Sequence, residues 1–337
     1  EKTCACDQRL EPSVDAPTCG SQPRCIDKQH MRPTEGTLSA RAARGTALGR
    51  IGVTAGCLGY GLGWIVSRSV PAMTESGQNL AFGAAAMFFS LSNLVGSTET
   101  RRSALAGTCC FVGMLLGYSG SGIVAGASSA GEDEGTQLVG LSLYLFLTLV
   151  MLFHTIEFAF VVCFHPQDVK FGSFMLTPVP KAGYSIAMIA ALSEWWLEGR
   201  LLRHLWPTAL NVYAVIMLAG FSVGIIGWGL RTAALFTAKS NFTHLVATAK
   251  RPEHSLVTGG VYRLCRHPSY LGWFLWSVCS QLTLLNPVCT CGYAAVSWLF
   301  FAGRIPGEEA FLVQFFGRQY VDYARRVPCG IPWISKL

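Results

Sequence analysis

The residues best able to do chemistry fall into two clusters near the C-terminus. The first is the run HSLVTGGVYRLCRHPSY at 254–270, which gathers His254, Ser255, Tyr262, Arg266, His267, Ser269 and Tyr270. The second is Arg304 with Glu308 and Glu309. Gly259-Gly260 makes a flexible turn, and Pro268 is well placed to open a helix, since proline is tolerated in a first turn. His267 then sits at or beside a helix N-terminus, whose free N–H groups and positive dipole suit a carboxylate or another anion. A single histidine there is ordinarily a cap. Here Arg266, Ser269 and Tyr270 crowd the same stretch, which favours binding. Arg304 and Glu308 share a helix face. That spacing gives a weak surface pair in the plain reading.

The segment between the clusters, PSYLGWFLWSVCSQLTLLNPVCTCGYAAVSWLFF, is strongly apolar and interrupted only by Asn286-Pro287. Asn-Pro favours a turn and proline breaks a helix interior, so a tight hairpin is expected, with its two open ends close together. That would bring His267 and Tyr270 near Arg304 and Glu308. Composition supports a membrane setting. Of 337 residues, 51% are hydrophobic and only 13% charged, about half the charge of a soluble domain. Eight apolar spans are expected at 47–67, 79–96, 104–127, 138–164, 184–198, 208–230, 268–285 and 287–303, the fifth short for a crossing of about 20 residues. The fold expected is all-α and polytopic, with a cytoplasmic-facing C-terminal catalytic region built around the hairpin. Residues 1–45 read as a polar, disordered tail, 46–230 as transmembrane helices and 231–337 as the catalytic region.

Charge sets the orientation. Arg41, Arg44 and Arg50 precede the first span, and Arg101 and Arg102 follow the second. Arg231, Lys239, Lys250, Arg251, Arg263 and Arg266 lie between the sixth and seventh spans, and Arg318, Arg325 and Arg326 follow the eighth. An even number of spans with both termini in the cytoplasm places these on one side, against Arg200 and Arg203. The net charge of +7 comes without a basic patch interleaved with aromatics, so an anionic membrane surface or acidic ligand is expected rather than nucleic acid. No secretory leader is expected, because the first apolar stretch starts well after residue 30.

Of the thirteen cysteines, Cys4, Cys6, Cys19 and Cys25 lie in the polar tail. Their spacing fits no zinc pattern, so no metal is expected. His154 and Glu157 in FHTIEF share a face of the fourth span. Ionisable groups at membrane depth face a partner or a wet cavity. They either line a ligand cavity or satisfy each other, or Glu194, as structural glue. LRTAALFTAKSNF at 230–242 reads as an amphipathic exit from the membrane, with Ser240 and Asn241 as helix-capping types.

These stretches, together with the tail FFAGRIPGEEAFLVQFFGRQYVDYARRVPCGIPWI, resemble the isoprenylcysteine carboxyl methyltransferase family. The resemblance is strong over 230–337 and weaker over 138–200. It implies a multi-pass endoplasmic-reticulum enzyme that moves a methyl group from S-adenosylmethionine to the C-terminal carboxylate of prenylated CaaX proteins, farnesylated or geranylgeranylated. Carried onto this chain, it implies cofactor contacts at His254, Ser255, Leu256, Val257, Tyr262, His267, Pro268, Ser269, Tyr270 and Glu308. Arg304 would hold the substrate, and Arg304 and Tyr270 are the catalytic candidates. Where the family has a cofactor-contacting Gln, this chain has Ala247. A carboxylate nucleophile is already ionised at neutral pH, so no general base is needed. The polar element alone also resembles phospholipid methyltransferases and NADPH-dependent sterol reductases, and a transporter or membrane scaffold is the non-enzymatic alternative.

Overall fold

A computed structural model describes residues 133–165, 168, 183–205 and 209–334, apart from 245 and 253. The first three expected spans and the N-terminal tail lie outside these residues. The described residues form helices and no strands. The α-helices are α1 (Glu134–Phe164), α2 (Gly183–Leu205), α3 (Leu210–Ala238), α4 (Pro268–Thr283), α5 (Pro287–Phe316) and α6 (Arg318–Arg326). Short 3-10 turns lie at Lys239–Asn241 and Gly260–Arg263.

Helix α1 opens on Asp133, whose Oδ1 accepts the Thr136 N–H at 2.9 Å, a side-chain N-cap. It is apolar on every side, and 67% of its most apolar stretch is buried, against 22% for α3 and 11% for α5. Helix α1 is therefore the most enclosed of these three described helices. Helices α3 and α5 present open apolar faces, including Val212, Val215, Ile226, Val296 and Leu299, which are stable only against other apolar matter, lipid chains included. The core around α1 contains Tyr144, Phe146, Leu149, Met151 and Phe160, joined by Trp195 of α2, Leu235 of α3 and Trp276 of α4. Both tryptophans find partners. Trp195 Nε1 donates to Val139 O at 3.2 Å, and Trp276 Nε1 to Leu149 O at 3.0 Å.

Helices α3 and α4 meet backbone to backbone. A Cβ on Gly227 would lie 2.7 Å from Trp276 N, and one on Gly272 would lie 2.6 Å from both Arg231 N and Gly227 O. Small residues permit this approach between membrane helices, and it sets Arg231 directly over the start of α4. The expected hairpin is present. Asn286 Nδ2 donates to Ala191 O at 2.8 Å. The first free N–H groups of α5, on Val288 and Cys289, donate to the two carboxylate oxygens of Glu194 at 2.7 Å each. A carboxylate at a helix N-terminus is favourable for both dipole and hydrogen bonding, so α2 holds the turn.

Several expected bounds shift. Three described helices are long and apolar enough to cross a membrane: Glu134–Phe164, Leu210–Asn241 (which includes the first 3-10 turn) and Pro287–Phe316. Helix α4 has 16 residues, fewer than a full crossing needs. The last span was expected to stop at 303, yet its helix runs on to Phe316 through Pro306, so Arg304 lies within α5 instead of after it. The proline removes one intrahelical N–H bond but does not end the helix. Arg231 and Arg266, counted with the basic residues that set the orientation, are buried to 2% and 7% exposure, because each meets a buried glutamate.

Candidate active site

Helix α4 starts at Pro268, with His267 at its N-cap. His267 makes no side-chain capping bond. Instead its ring lies flat on Tyr270, with centroids 5.4 Å apart and planes 3° from parallel. Its Nε2–H donates to Glu309 Oε1 at 3.0 Å, and its Nδ1 lies 4.0 Å from Glu308 Oε1. Arg266 Nε donates to the same Glu309 oxygen at 2.7 Å. Glu309 is thus the buried anchor of the second cluster. Glu308, next to it, points about 100° away around the helix and receives the hydroxyl of Tyr270.

The C-terminal segment fixes this region from below. Arg266 N–H donates to Pro328 O at 2.8 Å and His267 N–H to Cys329 O at 3.2 Å, while Arg266 Nη1 reaches Val327 O at 2.7 Å. Gly330 adopts φ +107, and a Cβ there would lie 2.9 Å from the Cβ of Cys265, so glycine meets both the conformation and the space. Ile331 and Ile334 pack with Tyr270, Phe301 and Ile305 in a second apolar cluster.

One cavity opens beside the start of α4. His254, Ser255, Leu256, Val257, Tyr262, His267, Pro268, Ser269, Tyr270 and Glu308 all line it, as does Ala247. Three devices shape its loop. Asn241 Oδ1 accepts the Ser255 N–H at 2.9 Å. Gly260 takes φ +57 in the turn before Tyr262, and the Tyr323 hydroxyl donates to Tyr262 O at 2.6 Å. Burial, then the nearby Glu308 carboxylate, hold the Tyr262 phenol well above its ordinary pKa, so it stays protonated. Phe311, Leu312, Phe315 and Phe316 of α5 supply an apolar wall, made possible by the extension of that helix past 303.

Arg304 does not line this cavity. It stands behind its rim, where its Nε donates to the Tyr270 hydroxyl at 2.8 Å and its Nη2 to His244 O at 2.7 Å. Its expected partner Glu308 lies 3.9 Å away. Among the described residues Nη1 meets no protein acceptor, so one edge of the guanidinium is open to a planar anion. Tyr270 and Glu308 therefore touch both the cavity and Arg304.

His154 and Glu157 do not pair with each other or with Glu194. His154 Nε2 shares a short hydrogen bond of 2.5 Å with the Tyr184 hydroxyl. Glu157 binds Arg231 Nε and, at 2.7 Å, His244 Nε2. Asn241 caps no helix, serving the cavity loop instead. The roles of Glu309, Arg231 and His244 were not drawn from the sequence. Glu309 had a visible signal, its neighbour position to Glu308 on a helix, whereas the pairing of Glu157 with Arg231 and His244 had none.

This architecture is that of an all-helical membrane protein carrying a mixed polar and apolar ligand cavity against a half-open arginine. The sequence profile of the isoprenylcysteine carboxyl methyltransferase family matches residues 202–314. The protein-S-isoprenylcysteine O-methyltransferase of Rattus norvegicus is 37% identical over 234 residues, 69% of this chain and 76% of the relative. The enzyme of that name from Tribolium castaneum is 40% identical over 190 residues, 56% of this chain and 65% of the relative. A solved structure of the eukaryotic intramembrane Ras methyltransferase ICMT superposes with a TM-score of 0.68 at 30% identity, covering 85% of this chain and 98% of that one. The chain belongs to the isoprenylcysteine carboxyl methyltransferase family.

Proposed function

We propose that this protein methylates the C-terminal carboxylate of prenylated cysteine in CaaX-processed proteins, with S-adenosylmethionine as donor. The observation that carries the reading is the pair Tyr270–Glu308, which lines the cavity and also meets the Arg304 guanidinium at Nε. The cavity's chemistry suits the donor. The N-terminus of α4 with Ser269 offers N–H and hydroxyl donors to the methionyl carboxylate, and His267 lies beside them. Glu308 offers a carboxylate to the amino group or hydroxyls. The apolar wall from Phe311 to Phe316 suits a flat base. His254, Ser255, Leu256, Val257, Tyr262 and Pro268 complete the contacts. When bound, the donor supplies a methyl group activated on a sulfonium.

Arg304 orients the substrate carboxylate through its free edge, and Tyr270 keeps that edge aimed by accepting the Nε–H. Both substrate oxygens are already unprotonated, so the protein supplies position and not a base. The reaction consumes an anion and a cation, so a site drier than bulk water favours it. The prenyl chain lies along the apolar faces of α3 and α5 and never needs to leave the bilayer.

The reading extends to eight spans in the endoplasmic-reticulum membrane, both termini cytoplasmic and the cavity facing the cytoplasm. Residues 1–45 serve as a tail, 46–230 as the transmembrane part and 231–337 as the catalytic region. The deciding assay incubates purified protein with methyl-labelled S-adenosylmethionine and N-acetyl-S-farnesylcysteine. A base-labile methyl ester is expected. Label entering phospholipid amines instead, or binding of NADPH without S-adenosylhomocysteine, overturns the reading.

A further inference from the structure

The guanidinium of Arg304 has two anchors, and both lead back to the same buried ion pair. One anchor is the Tyr270 hydroxyl on Nε at 2.8 Å, the other the carbonyl of His244 on Nη2 at 2.7 Å. Ser269, beside Tyr270 at the start of α4, takes a hydrogen bond from Arg231 Nη1 on its hydroxyl at 2.8 Å. Arg231 Nε binds one oxygen of Glu157, and His244 Nε2 binds the other at 2.7 Å. The contacts close a ring: Arg304, Tyr270, Ser269, Arg231, Glu157, His244 and back to Arg304.

Glu157 is wholly buried and Arg231 is 2% exposed. A buried ion pair is a weak source of stability, since desolvation offsets much of the attraction, but it is stiff and directional. Its place here is telling. Glu157 stands on α1, the most buried helix, and Arg231 on α3 at the glycine contact that locks α3 to α4. The pair therefore references both anchors of Arg304 to the rigid core, although one anchor belongs to a loop. The loop has a second tie to the end of α1, His165 Nε2 to Phe242 O at 3.0 Å, so it does not depend on His244 alone to stay folded.

We propose that Glu157, acting through His244, is a positioning residue that sets the direction of the Arg304 guanidinium. This rests on the reading of Arg304 as the carboxylate-binding group. In substrate terms, the fixed loop carbonyl keeps Nη2 occupied and turns the Nη1 edge toward the incoming carboxylate. Without the Glu157–His244 bond the carbonyl moves, the guanidinium rotates, and the nucleophilic oxygen is held off line.

The test is a double-mutant cycle in the full-length enzyme, with turnover of N-acetyl-S-farnesylcysteine, S-adenosylhomocysteine affinity and thermal midpoint read for each variant. His244→Ala, and beside it His244→Asn, whose amide is too short to reach Glu157, are expected to lower kcat at least ~10-fold, the scale of one charged hydrogen bond. Cofactor affinity should stay within ~3-fold, and His244→Gln, which can donate to Glu157, should recover most of the loss. In an Arg304→Lys background, which has no Nη2 to orient, adding His244→Ala should cost less than ~3-fold. Losses that multiply in the Arg304→Lys background, or that appear in cofactor affinity and thermal midpoint together, overturn the proposal while leaving Arg304 in its role. Unchanged turnover in Arg304→Lys itself removes the reading of Arg304 on which the proposal stands. Either folded His244 variant decides the question.

Discussion

Arg304→Lys isolates geometry from charge. Arginine carries five N–H donors in a rigid fork. Here one goes to Tyr270 and one to His244, which leaves donors on a fixed edge for a carboxylate. A lysine ammonium keeps the positive charge but cannot hold both anchors and also present a planar pair of donors. The substitution therefore removes one charge-assisted hydrogen bond to the substrate together with its alignment. A hydrogen bond of that kind is worth about 1.5–3 kcal/mol. At 1.36 kcal/mol per factor of ten, the expected loss is about 10- to 150-fold. It should fall on kcat more than on KM. The prenyl chain brings the substrate to the enzyme by partitioning into the bilayer, at about 0.8 kcal/mol per methylene, and this is untouched. Initial rates of labelled methyl transfer across both substrates give the partition, and titration with S-adenosylhomocysteine should return an affinity within ~3-fold of the parent, because Arg304 stands outside the cavity. A loss below ~3-fold, or one carried by cofactor affinity alone, would refute the orienting role.

Three further outcomes test the scaffold. Gly272→Ala places a methyl 2.6 Å from the backbone of α3; forcing the helices apart should cost at least ~1–3 kcal/mol, seen as a lower thermal midpoint or loss of monodisperse protein in detergent. Glu309→Gln leaves Arg266 buried without its counter-charge, a change worth about 3–5 kcal/mol, and the purified variant should melt far below the parent. Glu194→Gln weakens the cap on α5 at the hairpin turn by about 1 kcal/mol; its thermal midpoint should fall while kcat and KM for farnesylcysteine hold.

Spacing alone made a polar site at a membrane surface legible; the ten cofactor contacts came from the family resemblance, and they line one cavity because nine lie within 254–270 and the Asn286-Pro287 turn returns the tenth. The end of α5 was not legible. Apolar character fades at 303, yet a helix stops only when its backbone bonds have nowhere to go, and Glu308 to Phe316 keep them. Buried charge was least legible of all. Arg231 and Arg266 look like ordinary interfacial cations, and their partners Glu157 and Glu309 stand 74 and 43 residues away. Likewise Glu194 offers no sequence sign that it grips the N-terminus of α5. The glycine contact between α3 and α4 had a local trace in Gly220, Gly224 and Gly227, three small residues on one helix stripe.

The unbroken run of α5 makes it a ruler. From Pro287 to Arg304 is seventeen steps, about 26 Å at 1.5 Å each, against a hydrocarbon layer of about 30 Å. On the proposed orientation, which puts the Asn286-Pro287 turn at the far face, the guanidinium comes near the opposite edge of that layer, and the same helix continues on to form the cavity's apolar wall. A prenylated cysteine carries its carboxylate a fixed distance from a chain anchored in the lipid. On that orientation the helix would select by depth: a free soluble carboxylate, or one buried too deeply, would arrive at the wrong height to be read.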